Sequence, residues 1–525
     1  MGNAEIAQTL ESYAALLDLA GAGYYTVRAY RRAAELVRET RAPVAELVRD
    51  GRARELRGVG PGIERRLQEL VATGKLAELE ELEREVEPAL VALARFVGLS
   101  SQRLVAVGRE LGIRTADELR EAAETGRLRE VRGIGPSTEQ KILAGLARDE
   151  RRARRGLTLN RARALASSIA AELDGVVAGE VRRWRDVVYE LAVVTTTAPD
   201  LQSSRLLVAV VEPGVAVTVE GIPVEVTVAE PAAWGTELLR ATGSPEFVAD
   251  LGPLPEAPTE EAVFAALGRP YVPPELRESP FDRGPPPLVE IADIRGDLHA
   301  HTTWSDGKAS VAEMAAAAIE RGYEYLAICD HTPNVRVVPG LDADALRRQA
   351  DEIAEVNERV APFRVLRGTE CDIRRDGELD LPDDILNELD WVQLSLHAGQ
   401  REDEARLTRK VCEAMQHPAV RCLSHPKGRI INHRPPNALN LEAVIQVALE
   451  TGVAIETNGL PDRLDLRDEE VRLCVEAGVP IVCSTDAHSV RGLGNMQMCV
   501  ATARRGWATA ADVLNTRRLD EILRA

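Results

Sequence analysis

Hydrophobic positions recur at helical spacing over residues 4 to 48, where Ile6, Leu10, Tyr13, Leu16 and Leu17, and then Tyr25, Val27, Tyr30, Ala34 and Leu36, mark apolar faces between polar residues. The spacing predicts a helical bundle. Residues 291–525 have another rhythm. Short apolar runs stand at 297–301, 325–329, 363–367, 391–396, 420–423, 453–455 and 479–483, alternating with helical patterns such as 311–321 and 343–359. Seven strands alternating with helices predict a parallel barrel with its helices outside. Pro280-Phe281 and Gly284-Pro285-Pro286-Pro287 read as a semi-rigid linker ahead of it.

At 525 residues the chain is too long for one core, and several domains are expected. With 45% hydrophobic and 28% charged residues it reads as soluble and globular, and no apolar run approaches the ~18 residues of a membrane span. The opening Met1-Gly2-Asn3-Ala4-Glu5-Ile6 lacks a basic, apolar leader, and Ile6 breaks the myristoylation pattern, so a cytoplasmic location is expected. The net charge of −19 is unevenly spread: residues 1–160 hold 27 Lys+Arg and 25 Asp+Glu, a balance of +2, which leaves −21 for residues 161–525. A near-neutral amino-terminal part still leaves room for a local basic stripe. The seven cysteines are odd in number, all lie after residue 320, and none forms a Cys-x-x-Cys pair, so they read as buried thiols.

A Gly-rich turn recurs ahead of two predicted helices, as Leu56-Arg57-Gly58-Val59-Gly60-Pro61-Gly62-Ile63 and as Val131-Arg132-Gly133-Ile134-Gly135-Pro136-Ser137-Thr138. Glycines around one buried aliphatic residue let the backbone turn tightly and approach a phosphate, while the first amides of the next helix point outward as donors. Gly58, Gly60, Gly62, Gly133 and Gly135 are therefore candidate contacts to a DNA backbone, a grip that reads no bases. A weaker copy stands at Phe96-Val97-Gly98-Leu99-Ser100-Ser101.

Six of the eight histidines sit where an apolar run ends: His299, His301, His331, His397, His425 and His488. A parallel barrel ends every strand at one rim, which gathers such side chains into a multinuclear metal site, and a metallo-hydrolase is expected. His299 and His301, two apart on an extended segment, face the same side. His417 and His433 fit no such position.

These parts in this order resemble the bacterial family X DNA polymerases that carry a carboxyl-terminal PHP (polymerase and histidinol phosphatase) domain. The likeness rests on the Gly turns, Thr73-Gly74-Lys75-Leu76, Gly179 with Arg182-Arg183, Ala241-Thr242-Gly243-Ser244, Pro274-Glu275-Leu276-Arg277, and Asp297-Leu298-His299-Ala300-His301 running on to Asp306-Gly307. It implies a multidomain α/β chain: an all-α helix-hairpin-helix region over 1–150, a central α+β nucleotidyltransferase-like palm over 151–235, a short thumb and linker over 236–290, and a PHP domain, a distorted (β/α)7 barrel, over 291–525.

For the barrel, the resemblance implies nine catalytic metal ligands: His299, His301, Asp306, His331, Glu370, His397, His425, Asp486 and His488. They would hold a divalent cluster of three ions, Zn2+ or Mn2+ or both, with Glu370 bridging two of them. Arg336, Lys427, Arg429 and Arg463 are candidate phosphate contacts. Asp297 and Asp330 precede ligand histidines and read either as carboxylates orienting imidazoles or as turn caps. For the palm, the resemblance points to a degenerate polymerase site. Where the family has Gly-Asp-x-Asp this chain has Tyr189-Glu190-Leu191-Ala192, and Glu225 stands for the third aspartate; an alanine cannot ligate magnesium. Glu180 replaces the serine of the family's Gly-Ser, and Asp186 is a spare carboxylate nearby. A Schiff-base lyase needs an amine in the first domain, and no lysine precedes Lys75.

The function expected is metal-dependent phosphoester hydrolysis on DNA in repair, as 3′–5′ exonuclease, abasic-site endonuclease or 3′-end trimming, with gapped, nicked or damaged duplex as partner. A working gap-filling polymerase with PHP proofreading, a histidinol-phosphatase-like enzyme and a DNA-end scaffold with silent domains are the alternatives.

Overall fold

The computed structural model describes the chain apart from residues 1, 20–21, 41–42, 57, 80, 82–87, 98, 100, 147–155, 205, 219, 281–283, 336–337 and 524–525. Two compact units result: residues 1–156, 164–180 and 189–241 form one, and residues 157–163, 181–188 and 242–525 the other. The segment expected as thumb and linker is thus split at Ala241. Its Phe281 falls outside the described residues, as do Gly98 and Ser100 of the middle Gly turn.

The first unit opens with the predicted helical bundle, Asn3–Leu19, Tyr24–Glu39, Val44–Arg49 and Pro61–Thr73. Ile6, Leu10, Val37, Leu67 and Leu70 are fully buried in it, and Tyr13 meets Tyr30 edge to face at 4.8 Å. Helices Pro88–Val97, Ser101–Leu111, Ala116–Glu124 and Pro136–Leu146 form a second cluster, joined by Val211, Val215 and Val217 from the following sheet. That sheet has strands β1 (Gly175–Ala178), β2 (Leu191–Thr195), β3 (Leu207–Glu212), β4 (Val215–Thr218) and β5 (Pro223–Val228), in the order β1-β2-β5-β4-β3. Only the β2–β5 pair is parallel.

The two Gly turns are structural copies. Gly58 (φ +114°) and Gly133 (φ +89°) adopt a conformation that L side chains rarely take. Pro61 and Pro136 open the following helices, where a missing amide is tolerated. Arg54 pairs with Glu64 and Arg129 with Glu139, each through Nε at 2.5 Å, bracing each turn from the side.

The second unit is the barrel. Its strands are β6 (Gly296–Ala300), β7 (Tyr325–Ile328), β8 (Arg364–Asp372), β9 (Trp391–Ser395), β10 (Val420–Leu423), β11 (Ala454–Asn458) and β12 (Ile481–Ser484), all parallel and in sequential order. A bridge between Ala300 and Ala487 brings the first strand to the chain leaving the last, so the barrel is nearly closed. Side chains of β6, β7, β9, β11 and β12 are buried throughout, which explains their near-continuous apolar character. The helices between them begin on side-chain caps: Ser310 in a reciprocal pair with Glu313, then Asp342, Asp403 and Asn440.

Three ion-pair networks, not foreseen from the sequence, join residues 182–186 and 260–278 to one another and to the barrel. Glu260 accepts from Arg182 at 2.6 and 2.7 Å and from the fully buried Arg277 at 2.5 Å. Glu278 accepts from Arg183 at 2.9 Å and Arg505 at 3.1 Å. Asp186 accepts from Arg429 at 2.6 Å.

Candidate metal centre

Parallel strands carry the nine predicted ligands to one rim. His299 lies within β6 and His301 just past it; Asp306 is on the next loop; His331 follows β7; Glu370 is near the end of β8; His397 follows β9, His425 follows β10, and Asp486 and His488 follow β12. Three donor groups form, each with ligand atoms within 4.8 Å of one another: His301, Asp306, His331 and His488; His299, His301 and Asp486; and His331, Glu370 and His397. His425 adds its Nε2 at 2.8 Å from Glu370 Oε1. Side chains spread from position 299 to position 488 thus converge on one place.

Glu370 sits at the centre. Its Oε2 lies 3.6 Å from both His299 Nε2 and His301 Nε2 and 2.8 Å from His331 Nδ1, while Oε1 faces His397 at 3.5 Å and His425. One oxygen thus serves each side of the cluster. Opposite it, Asp486 Oδ1 approaches His301 Nε2 at 3.1 Å, and Asp306 Oδ2 approaches His488 Nε2 at 3.2 Å.

The donor set fits divalent cations. His301 Nδ1 and His425 Nδ1 are buried without a hydrogen-bond partner, a costly arrangement for polar atoms unless they ligate. His299 and His301 turn ring nitrogens toward each other at 3.1 Å. Mixed imidazole and carboxylate donors suit zinc and manganese alike. Two members are also held in left-handed backbone, His425 (φ +22°) and Asp486 (φ +52°), the kind of local strain that clusters at functional sites.

Burial and mutual charge set the protonation. Burial lowers His301 to about 4, helped by His488 and His331, which leaves a neutral imidazole able to ligate. Burial also works against a proton on His488, yet Asp306 and Asp486 raise it to about 9. Burial pushes the Glu370 carboxyl up, but the surrounding imidazoles, His331 and His397 foremost, hold it well below the usual range.

The residues that orient these side chains are mostly ones the sequence did not single out. Glu456, fully buried on β11, accepts at 2.7 Å from His299 Nδ1, at 2.8 Å from Gln393 Nε2, at 3.0 Å from Ser424 Oγ and at 2.7 Å from the His425 amide, and also bonds Ser484 Oγ. With Nδ1 donating, His299 Nε2 faces the cluster as an acceptor, available to a cation. Asp372 plays a comparable part for His397, accepting from its amide at 2.8 Å and lying 3.4 Å from its Nδ1. Asp297 and Asp330 turn out to hold backbone and hydroxyls, not rings. Asp330 takes Thr302 N and Oγ1, Ser305 Oγ and Gln349 Nε2, and Asp297 takes Thr485 and the His299 amide.

The four candidate phosphate contacts separate. Arg336 lies outside the described residues. Lys427 Nζ donates to Leu439 O at 2.7 Å, and Arg429 is committed to Asp186 and Leu464 O. Arg463 remains at the rim, with Nε 3.9 Å from Asp486 Oδ2 and a buried Nη1 that has no hydrogen-bond partner.

In the central sheet, Ala192 on β2 stands in direct register with Glu225 on β5, the geometry that a pair of magnesium carboxylates would need. Ala192 instead joins an apolar cluster with Ala178, Val194, Ala229 and Leu238. Glu180 is buried and accepts from the Tyr189 amide at 2.6 Å, so its charge is used internally. Among the described residues, every group able to hold a metal ion belongs to the barrel rim.

Residues 1–76 match the family model of a helix-hairpin-helix domain, and residues 297–456 match that of the PHP domain. Fold and rim together define a multidomain PHP protein. Over 566 aligned residues the chain is 31% identical to the DNA polymerase/3′-5′ exonuclease PolX of Bacillus subtilis, covering 99% of each protein. It belongs to the PHP-bearing family X DNA polymerases. Shorter matches cover 37–38% of the chain: probable phosphatases of Syntrophotalea carbinolica, 29% identical over 82% of that protein, and of Acetivibrio thermocellus, 32% identical over 78%.

Proposed function

We propose that this chain is a DNA-repair nuclease that hydrolyses phosphodiester bonds at the PHP rim, removing or trimming 3′ ends of gapped, nicked or damaged duplex. The observation that carries the reading is Glu370, a buried carboxylate with one oxygen turned to each side of an imidazole and carboxylate cluster. His299, His301, Asp306, His331, Glu370, His397, His425, Asp486 and His488 would hold three divalent ions, zinc or manganese. When bound, such ions acidify water at neutral pH and neutralise charge on phosphoryl oxygens.

The chain's own residues then set the geometry. Glu456 and Asp372 fix the rings of His299 and His397, and Asp330 pins the loop that carries Asp306 through Thr302 and Ser305. Arg463, beside Asp486, is the side chain placed to hold a non-bridging phosphate oxygen. Helix-hairpin-helix turns supply the substrate class, because a backbone-gripping module attached to a phosphoesterase selects nucleic acid over a free phosphomonoester.

Polymerase chemistry is not part of this proposal. Ala192 offers no ligand beside Glu225, and Glu190 alone does not make a two-metal pair. Likeness to probable phosphatases supports a second reading, small-molecule phosphatase activity at the same rim. Rates on recessed and abasic duplex DNA, compared with histidinol phosphate and each measured with and without chelator, decide between them. The nuclease reading requires chelator-sensitive DNA cleavage well above phosphatase turnover; the reverse order rejects it.

A further inference from the structure

A parallel barrel has two ends, and the metal rim uses only one. At the other, where strands begin, lies a cavity of about 300 Å3. Trp391 and Val420, which open β9 and β10, line it, as do Leu514, Ile522, Arg421 and Arg517. From Trp391 to His397 the chain is extended for most of its length, so at ~3.3 Å per residue the cavity lies roughly 20 Å from the rim ligands.

Neither of these two cavity-lining arginines is matched to a carboxylate among the described residues. Several arginines of this acidic unit find carboxylates: Arg367 pairs with Asp390 at 2.9 Å, Arg472 with Glu476 at 2.5 Å, Arg504 with Glu275 at 2.9 Å and Arg505 with Asp468 at 2.5 Å. Arg421 and Arg517 are half-buried, and neither guanidinium has a hydrogen bond or ion pair among the described residues. Asp383, 85% exposed, lies 3.5 Å from His417 Nε2 on the same wall and pairs with neither. Two like charges on one small cavity, with no counter-charge among the described residues, form a ready receptor for an anion.

We infer that this cavity is a second ligand site, binding a small phosphomonoester with a planar apolar body, of which a nucleoside monophosphate is the representative. Guanidinium forks match phosphate oxygens in pairs. Trp391, Val420, Leu514 and Ile522 supply the apolar wall that a base needs and that inorganic phosphate would leave unused. The volume is at the lower end of the ~300–1,000 Å3 typical of small-molecule sites, enough for one nucleotide and too little for a strand. Exonuclease action releases nucleoside monophosphates, so the site would take up the reaction's own product; this last step alone rests on the nuclease reading.

The test is calorimetric titration of the full-length chain with dAMP in excess chelator, which keeps the rim ligands from contributing through metal. dAMP should bind. Arg421→Gln and Arg517→Gln should each weaken it by about tenfold or more, and Arg421→Lys should retain part of the affinity. Deoxyadenosine and inorganic phosphate should each bind at least about tenfold more weakly than dAMP. Thermal melting of the variants separates lost binding from lost folding. No binding up to about 1 mM dAMP, affinity unchanged in both glutamine variants, or inorganic phosphate binding as tightly as dAMP would each overturn the site. Failure of the nuclease reading would be seen elsewhere, as absent metal-dependent cleavage of DNA, and would leave this titration unaffected.

Discussion

Glu456 accepts the Nδ1 proton of His299 at 2.7 Å from inside the barrel, and His299 thereby presents Nε2 to the rim. Burial pushes the Glu456 carboxyl up, but His299 beside it more than offsets this and keeps it charged. Glu456→Gln keeps the shape and removes the charge. Metal affinity should fall about 10–100-fold, the usual effect of losing such a partner, while the melting temperature changes little. Metal titration followed by melting checks both, and undiminished affinity would remove Glu456 from the site.

The palm should not be recoverable by one substitution. A Cβ added at Gly179 would stand 2.9 Å from the Ala192 Cβ, so the space beside residue 192 is already closed. Ala192→Asp should cost about 1–3 kcal/mol through a buried, poorly satisfied carboxylate and give no template-directed nucleotide incorporation. Primer extension together with urea unfolding reads this out, and incorporation by the variant would contradict it.

Acid should unfold the barrel unit through its ion-pair networks. Burial works to raise Glu260, Glu278 and Asp186, yet Arg182 and Arg277, Arg183 and Arg505, and Arg429 respectively bring each below its ordinary value. Groups depressed on folding stabilise the native state above the unfolded carboxylate pKa of about 4, and that contribution is lost as pH falls toward the folded values. Glu260→Gln leaves the fully buried Arg277 without its carboxylate and should cost about 3–5 kcal/mol at pH 7. The variant should also show a shallower loss of stability between about pH 5 and 3 than the parent. Urea unfolding across that range is the measurement, and parallel pH profiles would refute the assignment.

Gripping and cutting should separate. A methyl group added at Gly133 would meet nothing within 4 Å, and one at Gly58 only Leu36 Cδ2 at 3.9 Å, but both glycines have positive φ, so alanine strains only the turn. Gly133→Ala should weaken duplex DNA binding by about tenfold and leave cleavage of a small chromogenic phosphodiester unchanged. Equal loss of both activities would mean that the turn acts through folding.

The sequence made the rim legible because strand-end histidines are rare and chemically specific, and because two-residue spacing places His299 and His301 on one face. Glu370 and Asp306 came from the family pattern and fell into the same cluster. Glu456 and Asp372 stayed hidden: a carboxylate inside an apolar strand carries no spacing signature, and its role appears only when its strand is set beside that of its histidine. Lys427 and Arg429 were misleading for a related reason, since a basic residue near a ligand can as readily bind a backbone carbonyl or Asp186 as a substrate. Ala192 lies in register with Glu225, and the inward turn of Glu180 depended on amides nine and ten residues along the chain.

Metal content of the purified full-length chain, measured by inductively coupled plasma mass spectrometry beside the His299→Ala, His301→Ala double variant, is the most direct test of a rim-bound cluster. About three zinc or manganese ions per parent chain are expected, one for each donor group, with the double variant losing most of them while still binding duplex DNA. A parent chain without bound transition metal, or a double variant that keeps the full complement, would contradict it.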